Sequence, residues 1–112
     1  MRGDRGFFYM SELDVGLKFV KYFEVLFNEK IPDSQTRRDV LLRSAKLTAR
    51  EALARRIVDH VADGIEGTVE EATRLAEEVA ATVSNGAKLV EKRKLMLPET
   101  WRHVSTGSGS KL

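Results

Sequence analysis

Only two stretches of this chain suit β-strands, and that limits what it can fold into. Residues 6–10, GFFYM, carry the aromatic enrichment of a short buried strand, and residues 57–61, IVDHV, are β-branched and alternating. Two isolated strands do not make a stable sheet; three or more, or helices to cover them, are needed. The first stretch also comes almost at Met1, with nothing before it to pair with. The pattern reads as the back half of a larger α/β unit: mostly helix, two or three short strands, and long C-terminal helices.

Helical spacing fills most of the remainder. Leu17, Val20, Phe23 and Phe27, with Tyr22, Val25 and Leu26 between them, give residues 17–27 a wide apolar face. Pro32 breaks that run, because the residue before a proline avoids the α region. Asp33 or Ser34 can then cap a second helix reaching to about Ala45. Thr48 and Glu51 have the spacing of a capping box and predict a short helix. Residues 62–67, ADGIEG, read as a turn-rich linker. Thr68 and Glu71 repeat the capping-box spacing and predict a long helix, with Val69, Ala72, Leu75, Ala76, Val79, Ala80 and Val83 on one face. Asn85-Gly86 ends it. Residues 87–97, AKLVEKRKLML, predict a last amphipathic helix stopped by Pro98.

Composition excludes several functions. The 112 residues suffice for one small domain with a modest core. There is no cysteine, hence no disulfide, thiolate metal site or cysteine nucleophile. No apolar run is long enough to span a bilayer, and the N-terminus MRGDRGFFYM lacks the extended apolar region of a signal peptide. His60 and His103 are far apart and lack ligand-like partners, so no metal is expected. Net charge is only +2. Arg37, Arg38, Arg43, Lys46, Arg50, Arg55 and Arg56 cluster, but no aromatic platform is interleaved and no nucleic acid is expected. That cluster either meets phosphates through charge-assisted hydrogen bonds or forms a solvated helical face.

The chain closes on STGSGSKL. A C-terminal Ser110-Lys111-Leu112 is a peroxisomal import address, read by a receptor that needs those residues free and extended, and the Gly/Ser stretch supplies the spacer. Residues 98–112 are therefore expected as a flexible tail, the import receptor as a partner, and the peroxisomal matrix as the location.

One residue stands out chemically. Glu12 follows three aromatics and a methionine in FFYMSELDVGL, where an ionised group is costly to bury. Pattern alone leaves two readings open. Either Glu12 faces water at the end of a strand, or it is held in a dry setting that makes a carboxylate a stronger base.

Residues 5–17 (RGFFYMSELDVGL), 37–61 (RRDVLLRSAKLTAREALARRIVDHV) and 68–81 (TVEEATRLAEEVAA), in this order and spacing, resemble the C-terminal half of the enoyl-CoA hydratase/isomerase (crotonase) superfamily. Within it the likeness is to plant peroxisomal Δ3-Δ2-enoyl-CoA isomerases. The resemblance covers residues 1–97 and implies a crotonase-like α/β fold, of which this is the mostly helical C-terminal part. It also implies a reaction of unsaturated fatty acid β-oxidation. A glutamate takes a proton from C2 of a 3-enoyl-CoA, backbone amides hold the thioester oxygen of the dienolate, and the proton returns at C4. Glu12 falls on the position of that glutamate; the resemblance gives Asp14 no catalytic role.

By the same resemblance, Leu17, Tyr22 and Phe23 are candidate acyl-chain contacts, and Lys88 and Lys92 candidate contacts near the CoA. No cofactor is implied, CoA being part of the substrate. Expected partners are the acyl-CoA thioester and other copies or full-length relatives in an oligomer. Three departures stand against the family pattern. The half that carries the oxyanion-hole segments is not within this chain, Val20 stands where a proline is usual, and Arg56 replaces a glycine or other small residue before Ile-Val-Asp. Beside the isomerase reading stand two others: a catalytically inactive truncated relative, and an acyl-CoA-binding or oligomerisation module.

Overall fold

Helices account for nearly all the regular structure in the computed structural model, which describes residues 1–83 and 85–105. They are α1 (Lys21–Lys30), α2 (Ser34–Arg37), α3 (Ala49–Ala54), α4 (Gly64–Thr82), α5 (Gly86–Met96) and α6 (Pro98–Ser105). A 3-10 turn spans Glu12–Val15, and a π turn, Arg38–Leu42, follows α2 directly.

Neither expected strand forms among the described residues. What remains are two single bridges, Phe8 antiparallel to Leu47 and Arg2 parallel to Ala62. The reason is the one the sequence posed: GFFYM finds a partner for Phe8 alone, residues 57–61 form no bridge, the second bridge falling just beyond them at Ala62, and neither has a ladder to extend. The N-terminal strap is nevertheless well tied. Phe8 and Leu47 exchange both backbone hydrogen bonds, at 2.8 and 2.9 Å. The Met1 ammonium donates to the His60 carbonyl at 2.8 Å, and the Gly3 N–H to the Ala62 carbonyl at 2.7 Å. The approach at Gly3 is so close that a Cβ there would lie 2.5 Å from Val61 Cγ1.

Local capping chemistry explains most helix starts. Asp33 accepts from the Thr36 N–H at 2.8 Å and from its hydroxyl at 2.7 Å, as an N-cap should. The helix it opens does not run on to Ala45 as one α-helix; it passes into the π turn, which seats Val40 with no solvent exposure. Thr48 and Glu51 form the expected reciprocal capping box over α3. The box expected at Thr68 and Glu71 does not form. α4 begins earlier, at Gly64, whose N–H is capped at 2.9 Å by Asp4 from the N-terminal strap. Thr68 instead donates to the Gly64 carbonyl at 2.6 Å, and Glu71 pairs with Arg74 and with His60.

α4 ends before Asn85, as expected, and the Asn85 side chain then caps α5 by accepting from the Lys88 N–H at 2.9 Å. Pro98 stops α5 but opens α6, the first helical position being where a missing N–H costs nothing. The expected tail therefore starts as helix, packed on α1. Glu29, on α1, accepts from the Glu99 N–H at 3.1 Å and from the N–H and hydroxyl of Thr100. Ser110, Lys111 and Leu112 lie outside the described residues.

Among the described residues Ile31, Val40, Leu47, Ala49 and Ala52 are the buried apolar ones, a core of small and medium side chains. Its extent matches the shape. The radius of gyration is 16.0 Å, whereas a compact chain of this length would have roughly 13 Å. The long helix α4 buries no residue. Among the described residues no helix is long and apolar enough to cross a membrane.

Candidate active site

Five segments converge on one cleft of about 1000 Å³. The strap contributes Phe8, Met10 and Glu12; the extended segment after the 3-10 turn contributes residues 17–20. One face of α1 supplies Phe23, Leu26 and Phe27, the segment after α3 supplies Arg56, Ile57 and Asp59, and the α5–α6 junction supplies Met96 and Leu97. Such a cavity, mostly apolar with a few polar groups converging, is the usual form of a small-molecule site.

Glu12 sits at the first position of the 3-10 turn, not at the end of a strand. Gly16 closes that turn at φ +82°, a left-handed conformation a side chain would disfavour, and its N–H bonds back to Leu13. The turn points the carboxyl group inward. Its Oε2 is buried and has no hydrogen-bond partner among the described residues. A buried acceptor left without a donor is uncommon and destabilising, so its presence calls for an explanation. Asp14, two residues on, is otherwise engaged: its Oδ2 accepts from the Ser44 hydroxyl. The two carboxylates therefore have different surroundings, one accepting a hydrogen bond and one with a buried oxygen that accepts none.

Of the contacts expected from the sequence, Leu17 and Phe23 line the cleft with Glu12. Tyr22 does not; its ring packs against that of Phe23, 6.0 Å between centroids. Lys88 and Lys92 lie on the exposed surface of α5 and do not line it either, Lys92 Nζ reaching back to the Thr82 carbonyl at 3.4 Å. Helical periodicity put Tyr22 and Phe23 on one broad apolar face, of which Phe23 but not Tyr22 reaches the cleft.

Sequence reasoning missed Met96 and Leu97, whose place depends on Glu29 holding α6 against α1. Desolvation pushes the Glu29 carboxyl up, but its bonds from the Thr100 hydroxyl, the Thr100 N–H and the Glu99 N–H outweigh that and hold it below its ordinary value. The basic cluster read from the sequence is largely consumed within the fold. Arg37 donates to the Ile31 and Pro32 carbonyls at 2.8 and 2.7 Å. Arg55 and Arg43 both pair with Asp39, at 2.6 and 3.6 Å. Lys46 sits over the Tyr9 ring, 5.4 Å from its centroid. Arg56 alone of that cluster lines the cleft.

Comparison with known proteins adds relatives. Enoyl-CoA delta isomerase 3 of Arabidopsis thaliana is 44% identical over 105 residues, covering 93% of this chain and 44% of that protein. Enoyl-CoA delta isomerase 2, peroxisomal, from the same plant is 43% identical over 88% of this chain and 42% of its own length. Enoyl-CoA delta isomerase 1, peroxisomal, also from that plant, is 39% identical over 93% of this chain and 43% of its own length. The chain thus spans less than half the length of the curated relatives it matches. No family model matches it. No solved structure matches it.

Proposed function

This chain is a relative of the plant enoyl-CoA delta isomerases over nearly all its length, and we propose that it supplies the proton-transferring half of such an isomerase. The observation that carries the reading is the buried, unpartnered Oε2 of Glu12 facing an apolar cleft. The substrate is a 3-enoyl-CoA of unsaturated fatty acid β-oxidation, and the site of action is the peroxisomal matrix. Two of the relatives carry "peroxisomal" in their names, and the Ser110-Lys111-Leu112 ending suits the same address.

The acyl chain lies along Phe8, Met10, Phe23 and Phe27, with C2 beside Glu12. The Glu12 carboxylate takes a proton from C2; the electron pair left there delocalises onto the thioester oxygen and, through the C3–C4 double bond, onto C4, as a dienolate. The protonated Glu12 then returns its proton at C4, leaving the double bond between C2 and C3. The starting carboxylate is regenerated and no external acid, oxidant or cofactor enters. One carboxyl serves both transfers because C2 and C4 are two bonds apart, and apolar walls keep water from quenching the dienolate. Donors for the thioester oxygen are expected from residues outside this chain, since preorganised backbone N–H groups usually contribute most to stabilising such an oxyanion.

Glu12→Gln keeps the shape and removes the base. Turnover of a 3-enoyl-CoA, by this chain together with a segment supplying the remaining length of a relative, should fall about 1000-fold in that variant. Turnover unchanged by the substitution would overturn the assignment of Glu12. The exposed apolar stripe of α4 favours a second reading, an acyl-CoA-binding or oligomerisation module without catalysis. Thioester binding with no turnover in either the wild-type or the Glu12→Gln mixture would favour it.

A further inference from the structure

We propose that Arg56 is the anion-binding residue at the mouth of the cleft, taking a phosphate oxygen of the coenzyme A portion of the ligand. This rests on the reading of the cleft as an acyl-CoA site. The first observation is conformational. Arg56 follows the C-terminus of α3 at φ +60°, in the left-handed region. There its N–H bonds to the Leu53 carbonyl at 3.0 Å and the next N–H, of Ile57, to the Ala52 carbonyl at 2.8 Å. This is the position after a helix where glycine is favoured, because a Cβ is strained there. A long, branched-headed side chain kept at a strained position calls for something the side chain itself does.

The second observation is placement. Arg56 lines the same cleft as Glu12, while Arg37, Arg43, Arg55 and Lys46 are engaged elsewhere in the fold. Its guanidinium has no hydrogen bond or ion pair among the described residues, and Asp59, on the same rim, is not paired with it. The third is exposure. Arg56 is exposed to solvent, as are Lys18 and Lys30 along the same cleft. A donor for a dienolate must be dry and fixed. An exposed guanidinium instead suits a solvated anion, and its planar fork matches phosphate in two-point contact. An apolar cleft with an unpaired arginine at its rim fits an apolar chain carrying a phosphorylated head.

The test compares the full chain with Arg56→Gly and Arg56→Lys, titrated calorimetrically with decanoyl-CoA, decanoyl-pantetheine and decanoate. Arg56→Gly should raise Tm by about 4 °C, by relieving the left-handed strain, while weakening decanoyl-CoA binding about five-fold. Arg56→Lys should retain part of that affinity, and the wild-type advantage should shrink with added salt. Binding of decanoyl-pantetheine, which lacks the phosphates, should be the same in all three proteins. Equal decanoyl-CoA affinity in wild type and Arg56→Gly overturns the inference, as does an equal loss for decanoyl-pantetheine or a loss confined to decanoate. A wild-type chain that binds neither thioester overturns the reading of the cleft as well.

Discussion

Two helices of this molecule start in the same way and end up in opposite circumstances. α6 and α4 are both capped by a carboxylate from a distant segment, Glu29 in one case and Asp4 in the other. Yet α6 packs on α1 and buries Thr100 to 5% exposure, while α4, with 19 residues, buries none. Along α4, Ile65, Val69 and Val79 are exposed, together with the alanines between them. The difference teaches that a cap sets where a helix starts and a partner face decides whether it contributes to a core. α1 supplies that face to α6, while no residue of α4 is buried against a neighbour.

The strongest way to break this comparison is to remove volume on each side. Val40→Ala, at a fully buried position in the body, should cost about 2 kcal/mol in urea denaturation through lost burial and a residual cavity. Val79→Ala on α4, where the side chain is 53% exposed, should cost less than about 0.5 kcal/mol. Comparable losses would mean that α4 is packed in solution.

Acid separates the two caps more gently. Glu29 has a folded-state value depressed from 4.5. Its contribution is fully present above that ordinary value and is lost as pH falls through the lower folded one. Asp4 starts from 3.8 and is held far below the usual carboxylate range, first by its hydrogen bond from Arg2 and then by the Gly64 N–H. The cap on α6 should therefore fail before the cap on α4. In an NMR titration downward from about pH 6, the amides of Glu99 and Thr100 should shift ahead of Gly64. The reverse order would contradict the assignment of strengths.

Two glycines give a finer contrast. Gly67 lies inside α4 with open space around its missing Cβ, so Gly67→Ala should stabilise by about 0.5–1 kcal/mol. Gly3→Ala should destabilise instead, because the new Cβ meets Val61. Thermal melts of the two variants, moving in opposite directions, would sharpen the contrast between free helix and tied strap.

What could be read in the sequence follows the range of the interactions involved. The Thr48–Glu51 box and the Asp33 cap were legible because donor and acceptor are three residues apart. The similar spacing of Thr68 and Glu71 misled, because the true start of α4 is fixed by Asp4, sixty residues away in sequence. The strands failed for want of partners, a property of neighbours and not of GFFYM or IVDHV themselves. In the cleft, Glu12, Leu17 and Phe23 were legible from one continuous stretch and its family likeness. Met96 and Leu97 were not, since they arrive only when Glu29 captures α6 across 70 residues. Arg56 was visible as an oddity, and only its backbone conformation and its place on the rim give that oddity a meaning.

The capture of α6 has an optical consequence. The chain has a single tryptophan, Trp101, which is half-buried on α6 with Lys94 Nζ 5.5 Å from its ring centroid. Indole emission depends on the polarity and charge around the ring, so this chromophore reports one seam of the molecule and no other. Undocking of α6 from α1 and α5 would register as a red shift in native fluorescence, with no label attached. The protein thus carries its own gauge for the wall of its cleft.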